Sequence, residues 1–149
     1  MIYLANDHNG VNKMKFIADW LTKNGYEYKW VGATTYEKSD SYVTYIKEAN
    51  ELVKQEGNLG IYLCGTGVGA SIAANRCKGI RAVLCNMPKT AYFGRFHNNA
   101  NVLVLSGGYK GYPKMCNLKL KRILKTFLET KFEGDRHIER VNDLDKMYE

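Results

Sequence analysis

Five short β-rich runs, Ile2–Asn6, Tyr26–Val31, Leu59–Leu63, Arg81–Cys85 and Val102–Leu105, are separated by longer stretches whose apolar residues recur at helical spacing. The runs are mostly apolar without strict alternation, the pattern of parallel strands buried on both faces. Between them, Val11, Met14, Ile17, Ala18 and Leu21 mark one helix stopped by Gly25. Val43, Ile46, Ala49 and Val53 mark a second, and Leu120, Ile123, Leu124, Phe127 and Leu128 another. Such alternation predicts an α/β fold, an open parallel sheet with helices on both faces and right-handed crossovers. With 149 residues, 45% of them hydrophobic, only two prolines and no linker-like stretch, the chain reads as one domain over residues 1–149. Ligands of such sheets bind beyond the carboxyl ends of the strands. There the sequence places Asp7-His8-Asn9-Gly10, Cys64-Gly65-Thr66-Gly67 and Asn86-Met87-Pro88.

Charge and composition narrow the partners. The net charge of +7, from 22 Lys and Arg against 15 Asp and Glu, attracts phosphate in any form. The lysines are scattered, however, and the densest group, Lys114 to Lys125, alternates with apolar residues as a solvated helix face does. This favours a small phosphorylated metabolite over nucleic acid. No segment approaches the roughly 20 apolar residues of a membrane span, and the N-terminal residues lack a secretory pattern. Four cysteines without a C-x-x-C pair fit a reduced, cytoplasmic chain.

Cys64 ends an apolar run and is followed at once by Gly65-x-Gly67-x-Gly69. This is not the dinucleotide fingerprint G-x-G-x-x-G, and no Gly-Lys-Ser/Thr follows. What remains is a glycine turn opening a helix over Val68–Asn75, whose N–H groups suit a carboxylate, phosphate or enolate oxygen. Cys64 reads either as a small buried hydrophobe or as a thiol with the thiolate character of a proton acceptor. Asp7-His8 reads as a helix-capping turn or as a site, and His97-Asn98 as a polar loop or as a site. Arg136 and Arg140, one helical turn apart, read as a solvated face or as a phosphate grip.

Taken in order, Asp7-His8-x-Gly10, Cys64-Gly-Thr-Gly-x-Gly-x-Ser71-x-Ala-Ala-Asn75, Gly79-Ile-Arg-Ala, His97-Asn-x-Ala-Asn101 and Phe132-Glu-Gly-x-Arg136-His-x-x-Arg140-Val resemble the type B ribose-5-phosphate isomerases. That family also holds the two subunits of galactose-6-phosphate isomerase, and the resemblance covers essentially the whole chain. It implies a Rossmann-like three-layer sandwich around five parallel strands, and a homodimer, or a tetramer, with sites at the subunit interface. It also implies no metal and no redox cofactor. The implied reaction is aldose–ketose isomerisation of ribose 5-phosphate and ribulose 5-phosphate through a cis-enediolate, as in the pentose phosphate pathway. By the same resemblance Cys64 is the proton-transfer base and His97 the ring-opening acid. Thr66, counted with them as catalytic, joins Asp7, His8 and Asn98 in holding hydroxyls, and Tyr42 belongs to the binding set. The amides of Gly65, Gly67, Val68 and Gly69 hold the enediolate, and Arg136 with Arg140 the phosphate.

Three departures from the family pattern bear on the sugar. Gly108 stands where the family carries a phosphate-binding arginine, leaving Lys110 as a substitute. Ser39-Asp40-Ser41-Tyr42 stands where many members have Asp-Tyr-Pro, so an acid is missing or shifted to Asp40. The segment from Lys110 to Thr130 reads as a helix longer than the family's. A six-carbon substrate, allose or galactose 6-phosphate, is the alternative of the same chemistry, and a non-catalytic binding module is the alternative of another class.

Overall fold

Leu59 to Cys64 form an unbroken apolar run because both faces of that strand are covered. Ile61 and Leu63 enter one apolar cluster with Met14, Ile17, Leu120 and Phe127, while Tyr62 and Cys64 enter a second with Ile46, Ala49, Ala70 and Ala74. In the computed structural model, which describes residues 1–147, this strand is β3 (Leu59–Cys64). It lies at the centre of a parallel sheet with β1 (Ile2–Asn6), β2 (Tyr28–Trp30), β4 (Ala82–Leu84) and β5 (Val102–Ser106), in the order β2-β1-β3-β5-β4. Helices α1 (Val11–Lys23) and α5 (Asn117–Glu129) fill the first cluster, and α2 (Tyr42–Val53) and α3 (Val68–Asn75) the second. The expected three-layer α/β sandwich on five parallel strands is thus what the chain builds. Each fully buried large side chain contributes about 1.5–3 kcal/mol. No described helix is long and apolar enough to cross a membrane.

Two further helices matter for the site: α4 (Pro88–Phe96) and α6 (Arg136–Lys146). The structure also shortens three of the elements read from sequence. β2 begins at Tyr28 instead of Tyr26, and β4 keeps neither Arg81 nor Cys85. The helix read from Lys110 starts only at Asn117. Gly111, at φ +80°, and Pro113, which lacks an N–H, break any helix through that segment. The extra length is a loop.

Two close fits shape the strand ends. The open edge of β4 is met by the Asn75 side chain, whose Nδ2 donates to Ala82 O at 2.9 Å and whose Oδ1 accepts from Ala82 N at 2.8 Å. At the exit of β5, Gly107 donates its N–H to Cys64 O at 2.7 Å. A Cβ there would come within 2.7 Å of Gly10 Cα and 2.9 Å of Cys64 O. Because both obstacles are backbone, Gly107→Ala is expected to cost about 1–3 kcal/mol. At roughly 2–4 °C per kcal/mol a thermal melt resolves the loss, and an unchanged midpoint would contradict the packing.

Candidate active site

One group of polar residues gathers where β1, β3 and β5 end. Cys64 closes β3, buried at 5% exposure, with Ser106 beside it in register. Gly67 adopts φ +84° as the N-cap of α3, a left-handed conformation that turns the chain from strand to helix at once. Thr66 Oγ1 accepts from Val68 N at 3.2 Å. The following first-turn amides, from Gly69 on, lack partners inside the helix and are the anion-receiving groups of such a turn. The Tyr42 hydroxyl packs against Gly69, 2.7 Å from where a Cβ would sit. Ser106 Oγ donates to Gly65 O at 2.8 Å, and Lys13 Nζ donates to Ser106 O at 2.8 Å. Burial pushes the Lys13 ammonium below its ordinary pKa.

At the exit of β1, buried Asn6 donates through Nδ2 to Asp7 O (2.9 Å) and Ala33 O (2.8 Å), and its Oδ1 accepts from Trp30 Nε1 (2.8 Å). This clamp fixes the backbone that presents Asp7 and His8. Asp7 Oδ1 accepts from Asn9 N at 3.0 Å and so caps the single 3-10 turn His8–Gly10. His8 Nδ1 lies 2.6 Å from Asp40 Oδ1, which also accepts from His8 N at 3.3 Å. With Nδ1–H donated to the carboxylate, Nε2 is the nitrogen left for a ligand. Asp40, one residue before Ser41, is thus engaged by His8, while Ser41 itself caps α2 by accepting from Val43 N at 3.3 Å. Burial raises the Tyr45 phenol, and the Asp40 charge adds to the effect.

Burial likewise raises the Asp7 carboxyl above its ordinary value, with the charge of His8 and the Asn9 amide opposing. The folded chain holds that proton more tightly than the unfolded chain, so stability falls as pH climbs from the ordinary Asp value through the raised one. Asp7→Asn keeps the capping oxygen and removes the titration. Its melting temperature is expected to exceed the wild type's above that window and to match it below, and a gap independent of pH would refute the assignment.

A second group surrounds the end of α4. His97 caps that helix and stacks on His137 with ring centroids 4.4 Å apart and planes 18° apart. His137 is buried, and its Nε2 lies 3.1 Å from Glu133 Oε2. Desolvation, with the charges of His97 and Arg136 behind it, holds His137 below the ordinary histidine pKa. His97, Asn98, His137 and Arg140 line a cavity of 290 Å³, and Arg136 stands exposed one turn before Arg140. Each group also brings three ligand-type atoms within 4.8 Å of one another, His97/Glu133/His137 and Asp7/His8/Asp40, enough donors for a cation.

The two groups do not meet within one chain. Cys64 ends β3 beside Ser106, whereas the His97–Asn101 segment feeds the start of β5, where Val102 pairs with Gly60 and Gly60 N donates to Asn101 O at 2.8 Å. Four residues of strand separate these levels, about 13 Å at roughly 3.3 Å per residue. Each chain thus carries a Cys64 half at one end of the sheet and a His97 half at the other.

A profile of the ribose/galactose isomerase family matches residues 2–144. The chain belongs to that family. It is 38% identical over 137 residues to ribose-5-phosphate isomerase B of Escherichia coli, covering 91% of this chain and 87% of that one. Its backbone matches the crystal structure of a ribose 5-phosphate isomerase from Thermotoga maritima with TM-score 0.88 at 39% identity, covering 97% of each chain. It matches the Mycoplasma genitalium ribose-5-phosphate isomerase B with bound ribulose-5-phosphate with TM-score 0.90 at 34% identity, covering 99% of this chain and 95% of that one. Of the residues singled out from the sequence, Asp7, His8, Tyr42, Cys64, Thr66 and the glycine turn lie with the first group, and His97, Asn98, Arg136 and Arg140 with the second. Sequence reading gave no role to Glu133, although its spacing of four from His137 marks an i,i+4 pair. Lys13 and Ser106, 93 residues apart, carry no sequence signal of their contact.

Proposed function

We propose that this chain interconverts ribose 5-phosphate and ribulose 5-phosphate as a homodimer, the Cys64 half of one copy facing the His97 half of the other. The observation that carries the reading is a thiol at a strand end, directly before a left-handed glycine turn that opens helix α3. Aldose–ketose isomerisation needs a base at carbon and preorganised donors for the oxygen that turns negative. His97 of the second copy protonates the ring oxygen and opens the furanose. Cys64, as thiolate, takes the proton from C2 and returns it to C1, and the amides of Gly65, Gly67, Val68 and Gly69 hold the cis-enediolate oxygen. Thr66, Asp7, His8 Nε2, Tyr42 and Asn98 hold hydroxyls. Arg136 and Arg140 grip the phosphate, supplying binding energy remote from the reacting carbons. Val43, Val68 and Ile72, exposed at 50%, 45% and 56%, flank the Cys64 half and give a second copy an apolar seat.

Gly108 favours a second substrate reading. It stands at φ +122° with open space around it, so neither bulk nor charge limits the site there, and a six-carbon sugar phosphate has room. Turnover of ribose, allose and galactose phosphates by one preparation decides the matter. The expected order puts ribose 5-phosphate first, and a preference for a six-carbon substrate would replace the proposal.

A further inference from the structure

From Gly57 to Leu128 the chain holds eleven Lys and Arg and not one Asp or Glu, since all fifteen acids lie in residues 1–56 and 129–149. Part of this unbalanced charge converges on a groove that begins at Thr66, on the rim of the Cys64 half, and leads away from it. One cavity, 430 Å³, runs from Thr66 and Ser106 at the strand ends past Asn86 to Lys114 and Lys119. A second, 490 Å³, shares Met87 and Lys119 with it and continues to Lys89, Cys116 and Arg122. No acid lines either cavity. Among the described residues none of the four cations makes an ion pair, Lys89 lying 6.0 Å over the Phe93 ring instead. Like charges held around a concave wall without a counter-charge repel one another, and an anion seated among them relieves that cost.

We propose that this groove binds a small ligand carrying two phosphoryl groups. Lys114 serves one end, Lys89 and Arg122 the other, and Lys119 stands where the cavities join. The guanidinium adds the bidentate geometry that phosphate oxygens match. Two adjoining cavities of this size exceed what a single orthophosphate fills. Thr66 and Ser106 form the head of the first cavity, so an occupant lies beside the Cys64 half without using Arg136 or Arg140.

Cys116 reports on the groove directly, because it is the exposed thiol among the four and lines the same wall as Lys119 and Arg122. Alkylation of Cys116 by uncharged iodoacetamide, followed by peptide mass spectrometry on the full chain, is expected to slow about tenfold with pyrophosphate at ten times its Kd. Orthophosphate protects more weakly, and sodium chloride of equal ionic strength does not protect. Lys119→Ala with Arg122→Ala abolishes protection at an unchanged melting temperature. Calorimetric titration with pyrophosphate gives Kd and shows the same loss in the double variant. Absence of calorimetric binding, protection matched by chloride, or protection kept by the double variant overturns the site. A mixed-sequence RNA that displaces pyrophosphate with a steep salt dependence overturns it in favour of a nucleic-acid face. None of these readouts uses isomerase turnover, so failure here is distinguishable from failure of the proposed function.

Discussion

Replacing Cys64 by alanine is expected to cut kcat for ribose 5-phosphate about 10²–10⁴-fold, the usual worth of a positioned proton-transfer group. KM changes little, because the hydroxyl and phosphate contacts assigned to Asp7, His8, Arg136 and Arg140 remain. Cys64 belongs to the buried cluster that also holds Tyr62, Ala70 and Val104, so some stability is expected to go with the sulfur. Melting midpoints measured beside the kinetics separate a chemical loss from an unfolded one. If kcat in Cys64→Ala stays within tenfold of wild type, the thiol is packing and the base lies elsewhere.

The second large effect concerns two dead proteins that revive each other. Cys64→Ala and His97→Ala each damage both sites of the proposed homodimer, in which every site draws one half from each copy. Refolded together, half of the dimers formed at random are hybrids, and in each hybrid one site has an intact Cys64 and an intact His97. About a quarter of wild-type turnover is therefore expected. Mixing His97→Ala with Arg140→Ala restores none, since both changes fall in the same half. A mixture of Cys64→Ala and His97→Ala that stays inactive would place both halves in one chain's reach and contradict the register that separates them.

The sequence reading succeeded where the signal was local. β1, β3 and β5 are buried on both faces, so their apolar runs and their strand bounds nearly coincide. The edge strands β2 and β4 have one neighbour each, and their apolar flanks, Tyr26 before β2 and Cys85 after β4, pack into the core just outside the strand bounds. Lysine periodicity from Lys114 suggested helix, yet Gly111 and Pro113 weighed against the stretch before Asn117. Cys64 and its glycines were legible as a unit because the chemistry lies within a few consecutive residues. The separation of Cys64 from His97 was not, because it depends on direction. α4 runs from the exit of β4 back toward the entrance of β5, so its last residue arrives at the opposite end from the thiol. The Asp40 contact with His8 spans 32 residues and follows from tertiary placement alone.

The carboxamide of Asn75 on Ala82 closes part of one edge of the sheet. An open parallel sheet ordinarily offers its last strand as a template for another molecule's strand, the first step toward fibrous aggregation. Here the outward N–H and C=O of Ala82 are already taken by one side chain that imitates a neighbouring strand, and β4 is only three residues long. Growth of the sheet is thereby blocked at that border. The opposite border, β2, is also only three residues long, so neither edge offers a long template.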